Sequence, residues 1–523
     1  MTPVDAPADE RGPGARPAPV GAGAMAEAGR CLGRAVELAL GTQAGDGAWY
    51  VPSEPRILEN AVVACSLAGI ERARPARERA VRWLEDAAPQ RHDTFVYAAD
   101  HWLAGLHRTH DLTAYTAGAQ QGRPYARRAL YLDALGCAVG AAGADARRLL
   151  DQARAALGPD RGGRLKPWQR SMLLAFEALA GDALGMPLSR HTLEEWERTQ
   201  SPDGSFYGMP LVTGMLHLAL TRTAPDHQVT QRCRDALLAA QRPDGTWRFL
   251  VSEVWDTGLM VRALRGHPRF DSAALPAALD FLASAQKEDG GWACTAPLDS
   301  DNDTTGNTLL ALAGTGRATD PVLTAAARYA LRHQTPEGLW TTWHSSDDAP
   351  APDVVAHMAA GIHAADLPGV DLAPARRWLA SRATAEGWTS DWYLPPAYGA
   401  AEIGPALAPH AVSRAAIPAL LASQRADGGW PRILDEPYSS PTATGLALTA
   451  LTAGGLGPHD TAVARGLTFL IDSQNDDGTW IDRPVMHGPR PFLTVTTSQV
   501  HALAARGLRD ALTAAPHRDG ACP

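Results

Sequence analysis

A short motif recurs along this chain and limits the folds that it can adopt. It consists of Gln, three residues, Gly, one residue and an aromatic residue. Its copies begin at Gln43, Gln200, Gln241, Gln286, Gln334, Gln424 and Gln474, and a shortened copy is Glu386-Gly387-Trp388. From Gln241 onward the copies are about 40 to 50 residues apart, a spacing typical of arrays of helix pairs.

Each copy of the motif follows an apolar helical pattern, and another apolar helix follows it. The Gln amide can hydrogen-bond the end of a neighbouring helix while the aromatic ring covers the core beneath it. Strand alternation is nowhere sustained. The sequence therefore predicts an all-α fold, in which six helix pairs after Gln241 close into an (α/α) barrel of inner and outer helices. A non-catalytic helical scaffold and an enzyme both remain open on the repeats alone.

The repeat is lost between Gln43 and Gln200, although helical patterns persist, which predicts a second barrel inserted there. The Pro-, Gly- and Ala-rich start of the chain predicts a disordered tail. The predicted division is a tail at 1–24, a helix of the later barrel at 25–44, the inserted barrel at 45–220, the repeat-rich barrel at 221–514 and a tail at 515–523.

Composition excludes several classes of partner. The 523 residues carry a net charge of −9 with no block of Lys or Arg, which argues against nucleic acid and anionic membrane surfaces. No apolar run approaches the length of a membrane span, so stable membrane insertion is not expected. The six cysteines are scattered without a C-x-x-C motif, as expected for reduced cytoplasmic thiols.

An Asp-rich stretch at 298–309 reads L-D-S-D-N-D-T-T-G-N-T-L. It predicts a loop that caps a helix, with Asp303, Thr304 or Thr305 near the N-cap. If the loop is buried, desolvation and like charges would hold one carboxyl neutral, as general-acid chemistry requires. A solvated acidic loop and a Ca²⁺ site are the alternatives, but an EF-hand starting at Asp299 would need Gly and Glu where Thr304 and Leu310 stand.

Taken together, these motifs resemble the class II terpene cyclases, which include squalene–hopene cyclases and diterpene cyclases of the copalyl diphosphate type. The run D-N-D-T-T at 301–305 matches the family's variant Asp-x-Asp-Thr-Thr, a mark of bacterial drimenyl diphosphate synthases. Further runs resemble cavity segments of triterpene cyclases: V-W-D-T-G-L at 254–259, D-V-V-A-H at 353–357 and W-Y-L-P-P-A-Y at 392–398. The resemblance covers nearly the whole chain from about Ala26. It implies two α-barrel domains, β (repeat-rich) and γ (inserted), with a cavity between them.

The resemblance also implies roles for individual residues. Asp303 would protonate an alkene and Asp301 would hold and polarise it. His357 would donate a hydrogen bond to Asp303, with an ordinary core histidine as the alternative, and Asp353 shares its helix face. The residues expected to line the cavity are Trp255, Thr304, Trp392, Tyr398 and Phe492, with Trp292 and Trp343 as further aromatic candidates.

The class I ionising motif Asp-Asp-x-x-Asp is absent, so the diphosphate is expected to stay on the product. A diphosphate needs neutralisation by Mg²⁺ and by basic side chains. The candidates are Glu85 and Asp86 for the metal and Arg161, Arg164 and Lys166 for the diphosphate. A solvated surface charge is the alternative for each of them.

Two departures from triterpene cyclases favour a substrate shorter than squalene: Thr304 replaces an Asp, and only Phe492 remains of the C-terminal aromatic segment. The resemblance thus implies cyclisation of farnesyl diphosphate to drimenyl diphosphate in the cytoplasm, followed by a phosphatase as downstream partner. A copalyl-type reaction on geranylgeranyl diphosphate and a squalene or polyprenyl cyclase remain alternatives. A prenyltransferase-like subunit is disfavoured, because no Cys lies in the acidic stretch or near His357 to complete a zinc site.

Overall fold

The computed structural model describes residues 22–87, 102–106, 126–163, 165–317, 320–343, 349–408, 411–488 and 493–514. Helices dominate these residues, as the sequence predicts. The strands found among them are short pairs: β1 (Trp430–Pro431) with β2 (Ser439–Ser440), and β3 (Met486–His487) with β4 (Leu493–Thr494). No helix in the described ranges is both long and apolar enough to traverse a bilayer.

The helices are numbered here in chain order, apart from two 3₁₀ turns at Glu71–Ala73 and Ala411–Arg414. They are α1 (Ala22–Thr42), α2 (Ile57–Ser66), α3 (Arg74–Ala87), α4 (Ala126–Val139), α5 (Ala146–Leu157), α6 (Pro167–Ala183), α7 (Arg190–Thr199), α8 (Pro210–Thr223), α9 (Gln228–Ala240), α10 (Glu253–Leu264), α11 (Pro268–Ala273), α12 (Leu275–Ser284), α13 (Asn302–Leu312), α14 (Asp320–His333), α15 (Pro352–Ala364), α16 (Ala373–Ser381), α17 (Pro396–Ala406), α18 (Ile417–Ser423), α19 (Pro441–Ala453), α20 (Thr461–Ser473) and α21 (Thr497–Thr513).

The later barrel is a closed double ring. Six inner helices pack side by side in the order α10, α13, α15, α17, α19 and α21, and α21 packs back against α10. These helices are buried nearly all round, as a fully enclosed helix must be. The outer helices α12, α14, α16, α18 and α20 bury one face each. The sixth outer position is taken by α1, so the helix before the insertion belongs to this barrel.

The repeated motif forms the joints of the outer ring. The side-chain amide of Gln286 donates to the Gly290 carbonyl at 2.9 Å and to the Val322 carbonyl of α14 at 3.0 Å. The indole N–H of Trp292 donates to the Leu282 carbonyl near the end of α12 at 2.7 Å. Gly290 has a φ of +92°, and a Cβ there would overlap the Ala325 carbonyl of α14. The motif thus satisfies carbonyls at a helix end and joins each outer helix to the next.

The γ barrel has its own hydrophobic core, which extends further along the chain than predicted. Cys233 and Leu237 of α9, together with Trp247, belong to this core and not to that of the β barrel. The amide of Gln241 donates to the Ala76 carbonyl of α3 at 2.8 Å, which joins α9 to the start of the insertion. The cores therefore change near residue 250, before α10, and not at the predicted 220/221. The sequence does not reveal this, because the Gln241 motif looks like those of the β barrel.

Candidate active site

The Asp-rich loop ends by capping α13, an inner helix of the β barrel. Asp301 is the N-cap: its Oδ1 accepts from the Thr304 backbone N–H at 2.7 Å and its Oδ2 from the Thr304 hydroxyl at 2.9 Å. The sequence pattern predicts the N-cap of this helix later, at Asp303, Thr304 or Thr305. Asp301 serves instead because its backbone is extended, which lets its side chain reach back to the first turn.

The predicted hydrogen bond between Asp303 and His357 is present. Nδ1 of His357, on α15, lies 2.6 Å from Oδ1 of Asp303, in the first turn of α13. The two helices approach closely because Gly306 has no side chain: a Cβ there would overlap the His357 carbonyl. His357 is buried, whereas Asp303 retains 13% of its side-chain exposure and lines a cavity. Oδ1 is therefore held by protein while the carboxyl remains accessible to a ligand.

A buried ion-pair network that sequence reasoning missed lies behind His357. Nε2 of His357 is 3.3 Å from Oε2 of Glu402, on α17, although the two atoms are not aligned as a hydrogen bond. Arg262 donates to Oε2 of Glu402 at 2.5 Å, and Arg506 donates to Oε1. One signal was available, because Glu402 is the only charged residue in the apolar helix α17 and a buried charge needs partners.

The surroundings shift the pKa values of the acidic loop and of His357. Burial raises the pKa of Asp301 to about 7, and the charge of Asp303 adds to this effect. Burial alone would lower the pKa of His357, but the carboxylates of Asp303 and Glu402 outweigh it and raise the pKa to about 9. The two carboxylates therefore favour the imidazolium form of the ring, in which Nδ1 donates to Asp303.

Asp353 does not hydrogen-bond the acid. Its Oδ2 accepts from the Ser390 hydroxyl at 2.6 Å and from the backbone N–H groups of Asp391 and Trp392 at 3.0 and 3.1 Å. Burial raises the pKa of Asp353 to about 6, and Asp303 contributes to the shift. The structure thus places Asp353 as the anchor of the segment that carries Trp392. Its predicted share in catalysis would be exerted through that segment.

A cavity of about 560 Å³ lies between the two barrels and reaches Asp301 and Asp303. Its aromatic wall comes from both domains: Tyr131, Trp168, Phe176 and Phe249 before α10, and Trp255, Trp343, Trp392 and Tyr393 from the β barrel. The ring of Trp343 stands edge-on to Trp168 at 5.6 Å and to Trp392 at 5.7 Å. The aromatic rings of such a wall can stabilise a carbocation through their π faces.

The predicted lining residues differ in their placement. Trp255, Thr304 and Trp392 line the cavity, as does Trp343. Tyr398 does not line the cavity. Its ring stacks on that of Tyr393 with the centroids 4.1 Å apart, and Tyr393 lines the cavity instead. Trp292 is buried in the β-barrel core at its repeat joint. Phe492 lies outside the described residues.

The two predicted diphosphate ligands that the structure describes, Arg161 and Lys166, are not on the cavity wall. Arg161 is paired with Glu177 at 2.6 Å. Lys166 donates to the Ser300 carbonyl of the Asp-rich loop at 2.7 Å, so it links the γ barrel to the acid. Arg164 lies outside the described residues. Within the described ranges, the residues that line the cavity include no Arg or Lys.

The predicted metal ligands do not fit a site at the cavity. Glu85 and Asp86 are exposed at the end of α3, and neither lines the cavity. Among the residues that the structure describes, no cluster of three or more His, Cys, Asp or Glu side chains is arranged to hold a metal ion.

Comparison with known proteins shows what this chain is similar to. Residues 210–352 match the squalene-hopene cyclase C-terminal domain. The solved structure of an ent-copalyl diphosphate synthase from Streptomyces platensis aligns with a TM-score of 0.55 and 20% identity, covering 94% of this chain and 100% of that one. This chain therefore shares the fold of that synthase, in agreement with the resemblance predicted from the motifs.

The relatives found by sequence similarity share one more specific name. A drimenyl diphosphate synthase from Streptantibioticus cattleyicolor is 33% identical over 315 residues, covering 53% of this chain and 57% of the relative. Another, from Streptomyces showdoensis, is 28% identical over 369 residues, covering 67% of this chain and 60% of the relative. The chain thus spans about three fifths of the length of these curated relatives.

Proposed function

We propose that this protein is a protonation-initiated sesquiterpene cyclase that converts farnesyl diphosphate to drimenyl diphosphate and keeps the diphosphate on the product. The observation that carries the proposal is the Asp303–His357 pair, joined at 2.6 Å at the wall of an aromatic cavity between two helical barrels. The similarity to two drimenyl diphosphate synthases supports the choice of substrate.

The first step is proton transfer from Asp303 to the terminal alkene of the substrate. Among the described residues Oδ1 accepts from His357 and no side chain bonds Oδ2, so Oδ2 is the oxygen that carries the proton. The O–H bond breaks, a C–H bond forms at the less substituted alkene carbon, and a tertiary carbocation results. The imidazolium of His357 stabilises the carboxylate left on Asp303, which makes the acid stronger.

The cation is then attacked by the next double bonds of the same chain, which closes two rings. Trp255, Trp343 and Trp392 line the path and stabilise positive charge through their π faces. Loss of a proton from a carbon beside the final cation restores an alkene. The C–O bond to the diphosphate stays intact throughout, in keeping with the absence of the class I ionising motif.

The proposed reaction also involves a metal ion, a downstream enzyme and a cellular location. Mg²⁺ would offset the charge of the substrate's diphosphate, and a phosphatase acting on the product would complete the route to an alcohol. A cytoplasmic location is in keeping with the free thiols of the five described cysteines.

The direct test is incubation of purified protein with Mg²⁺ and, in separate reactions, farnesyl and geranylgeranyl diphosphates. Products are dephosphorylated and identified by gas chromatography–mass spectrometry. Drimenol from the C15 substrate is the expected result. A bicyclic alcohol from the C20 substrate alone would reassign the protein to the copalyl type with the same acid. No product from either would overturn the proposal and leave squalene or a scaffold role to test.

A further inference from the structure

The centre of the β barrel holds several buried charged side chains in addition to the Asp303–His357 pair. His357 is met by Asp303 from α13 and by Glu402 from α17, and its own helix carries Asp353. Arg262 of α10 and Arg506 of α21 stand behind Glu402. Five of the six inner helices thus contribute a charged group to one buried cluster. Since each buried charge is costly unless compensated, the arrangement calls for an explanation.

The contact between Nε2 and Glu402 favours the doubly protonated form of His357. Nδ1 donates to Asp303, so a neutral ring would present the lone pair of Nε2 to its surroundings. The nearest acceptor is Oε2 of Glu402 at 3.3 Å, which also carries lone pairs. Two lone pairs close together in a buried site repel each other, whereas a positively charged imidazolium beside a carboxylate is attracted to it even without an aligned hydrogen bond. The contact is therefore favourable only when His357 carries both protons.

Glu402 is also what makes a charged His357 compatible with its neighbours. Without it, the guanidinium groups of Arg262 and Arg506 would add two positive charges to the site and disfavour the imidazolium. Each guanidinium instead bonds a different oxygen of Glu402. These bonds hold the pKa of Glu402 well below its usual range despite burial, so the group stays ionised. Arg262 further donates to Asn307, one turn after Asp303 on α13, at 2.8 Å.

We propose that Glu402 is a positioning residue for the acid: it holds His357 doubly protonated, with Nδ1–H directed at Asp303, and Arg262 and Arg506 fix its carboxylate in place. Glu402 does not line the cavity, so it acts through His357. The inference rests on the proposed function for its consequence in catalysis, but its effect on His357 needs no substrate.

The first experiment is therefore an NMR titration of histidine-labelled protein without substrate. The chain has 17 histidines, and the His357 signal is assigned by its loss in His357→Asn. Glu402→Gln keeps the size of the side chain and one acceptor oxygen but removes the negative charge, so the pKa of His357 is expected to fall by at least about one unit. Glu402→Asp restores the charge and should restore most of the shift. An unchanged His357 titration in Glu402→Gln overturns the proposal.

The second experiment measures turnover against pH. In Glu402→Gln the alkaline loss of kcat should begin at least about one pH unit lower than in the wild type, while KM stays within about twofold, because Glu402 does not line the cavity. A purely structural role would lower kcat equally at every pH. Glu195→Gln is the matched control, since it removes a buried carboxylate paired with Arg170 in the γ barrel.

If Glu402→Gln does not fold, Arg506→Gln provides a second test, in which the pKa of His357 is expected to shift in the opposite direction. Removing one guanidinium leaves Glu402 less compensated, so the pKa of His357 should rise. A fall or no change contradicts the proposal. If the titrations behave as expected but neither prenyl diphosphate is turned over, the positioning role stands and the proposed function fails.

Discussion

At the scale of single residues, the two oxygens of the Asp303 carboxyl group have different surroundings. His357 occupies Oδ1 of Asp303, and the cavity meets the rest of the carboxyl. Asp301 uses both oxygens to cap α13, so it orients the helix that carries the acid. Asp301 and Asp303 therefore have different roles, because their hydrogen-bond partners differ.

Replacing Asp303 with Asn should abolish cyclisation while the fold persists. Asn has nearly the same shape but no acidic proton, so kcat should fall at least a hundredfold, roughly the range for loss of a general acid. Product formation is followed by mass spectrometry, and circular dichroism melting checks the fold. Retained turnover would remove Asp303 as the acid.

Activity should decline as pH rises through about 9. His357 donates to Asp303 only while protonated, and its pKa is raised to about 9. The same shift, from 6.5 upward, stabilises the fold fully below pH 6.5 and loses this effect as pH rises through about 9. A pH–rate profile and melting curves over this range measure both. The pH–rate profile of His357→Asn should lack the decline at alkaline pH. An identical decline in that variant would show that another group causes it.

At the scale of elements, glycines set how closely the helices approach. Gly306 on α13 allows the His357 carbonyl of α15 to sit where a Cβ would be. Gly290 does the same at an outer joint while its positive φ makes the turn. The distance between the acid and its histidine therefore depends on a residue with no functional group.

Gly306→Ala should destabilise the protein by about 1–3 kcal/mol, because the methyl group must displace α15. It should also lower kcat, since Asp303 and His357 move apart. Chemical denaturation and steady-state kinetics measure the two effects. The matched control is Gly33→Ala on α1, where no atom lies within 4 Å of the new Cβ and helix propensity should improve. Equal stability of both variants would refute the packing argument.

At the scale of the whole molecule, the cavity exists because two barrels meet. Trp168 of the γ barrel contacts Trp343 of the β barrel, and Lys166 reaches across to the loop before Asp301. Burial lowers the pKa of Lys166, while Asp299 and Asp301 oppose the effect. The γ barrel therefore completes the aromatic wall and fixes the acidic loop.

Lys166→Met should lower kcat with little change in KM, because it removes the bond to Ser300 without touching the cavity wall. A diphosphate ligand would behave differently, and its loss would raise KM. Steady-state kinetics with farnesyl diphosphate separates the two. Arg161→Met is the control, since Arg161 pairs with Glu177 away from the cavity. A large increase in KM in Lys166→Met would restore its predicted diphosphate role.

Chelation with EDTA should reduce turnover of a diphosphate substrate, and excess Mg²⁺ should restore it. Circular dichroism before and after chelation separates loss of metal from loss of fold. Turnover that is indifferent to EDTA would withdraw Mg²⁺ from the proposal.

The all-α ring can be predicted from the sequence alone, because its joints are made by residues at fixed short spacing, such as Gln286, Gly290 and Trp292. Asp303 and His357 can be predicted too, because each lies in a motif. The network behind them becomes visible only in the folded structure. Glu402 meets Arg262 across 140 residues and Arg506 across 104. No local pattern encodes which helix faces meet in a closed barrel, so contacts of this kind exist only once the ring has formed.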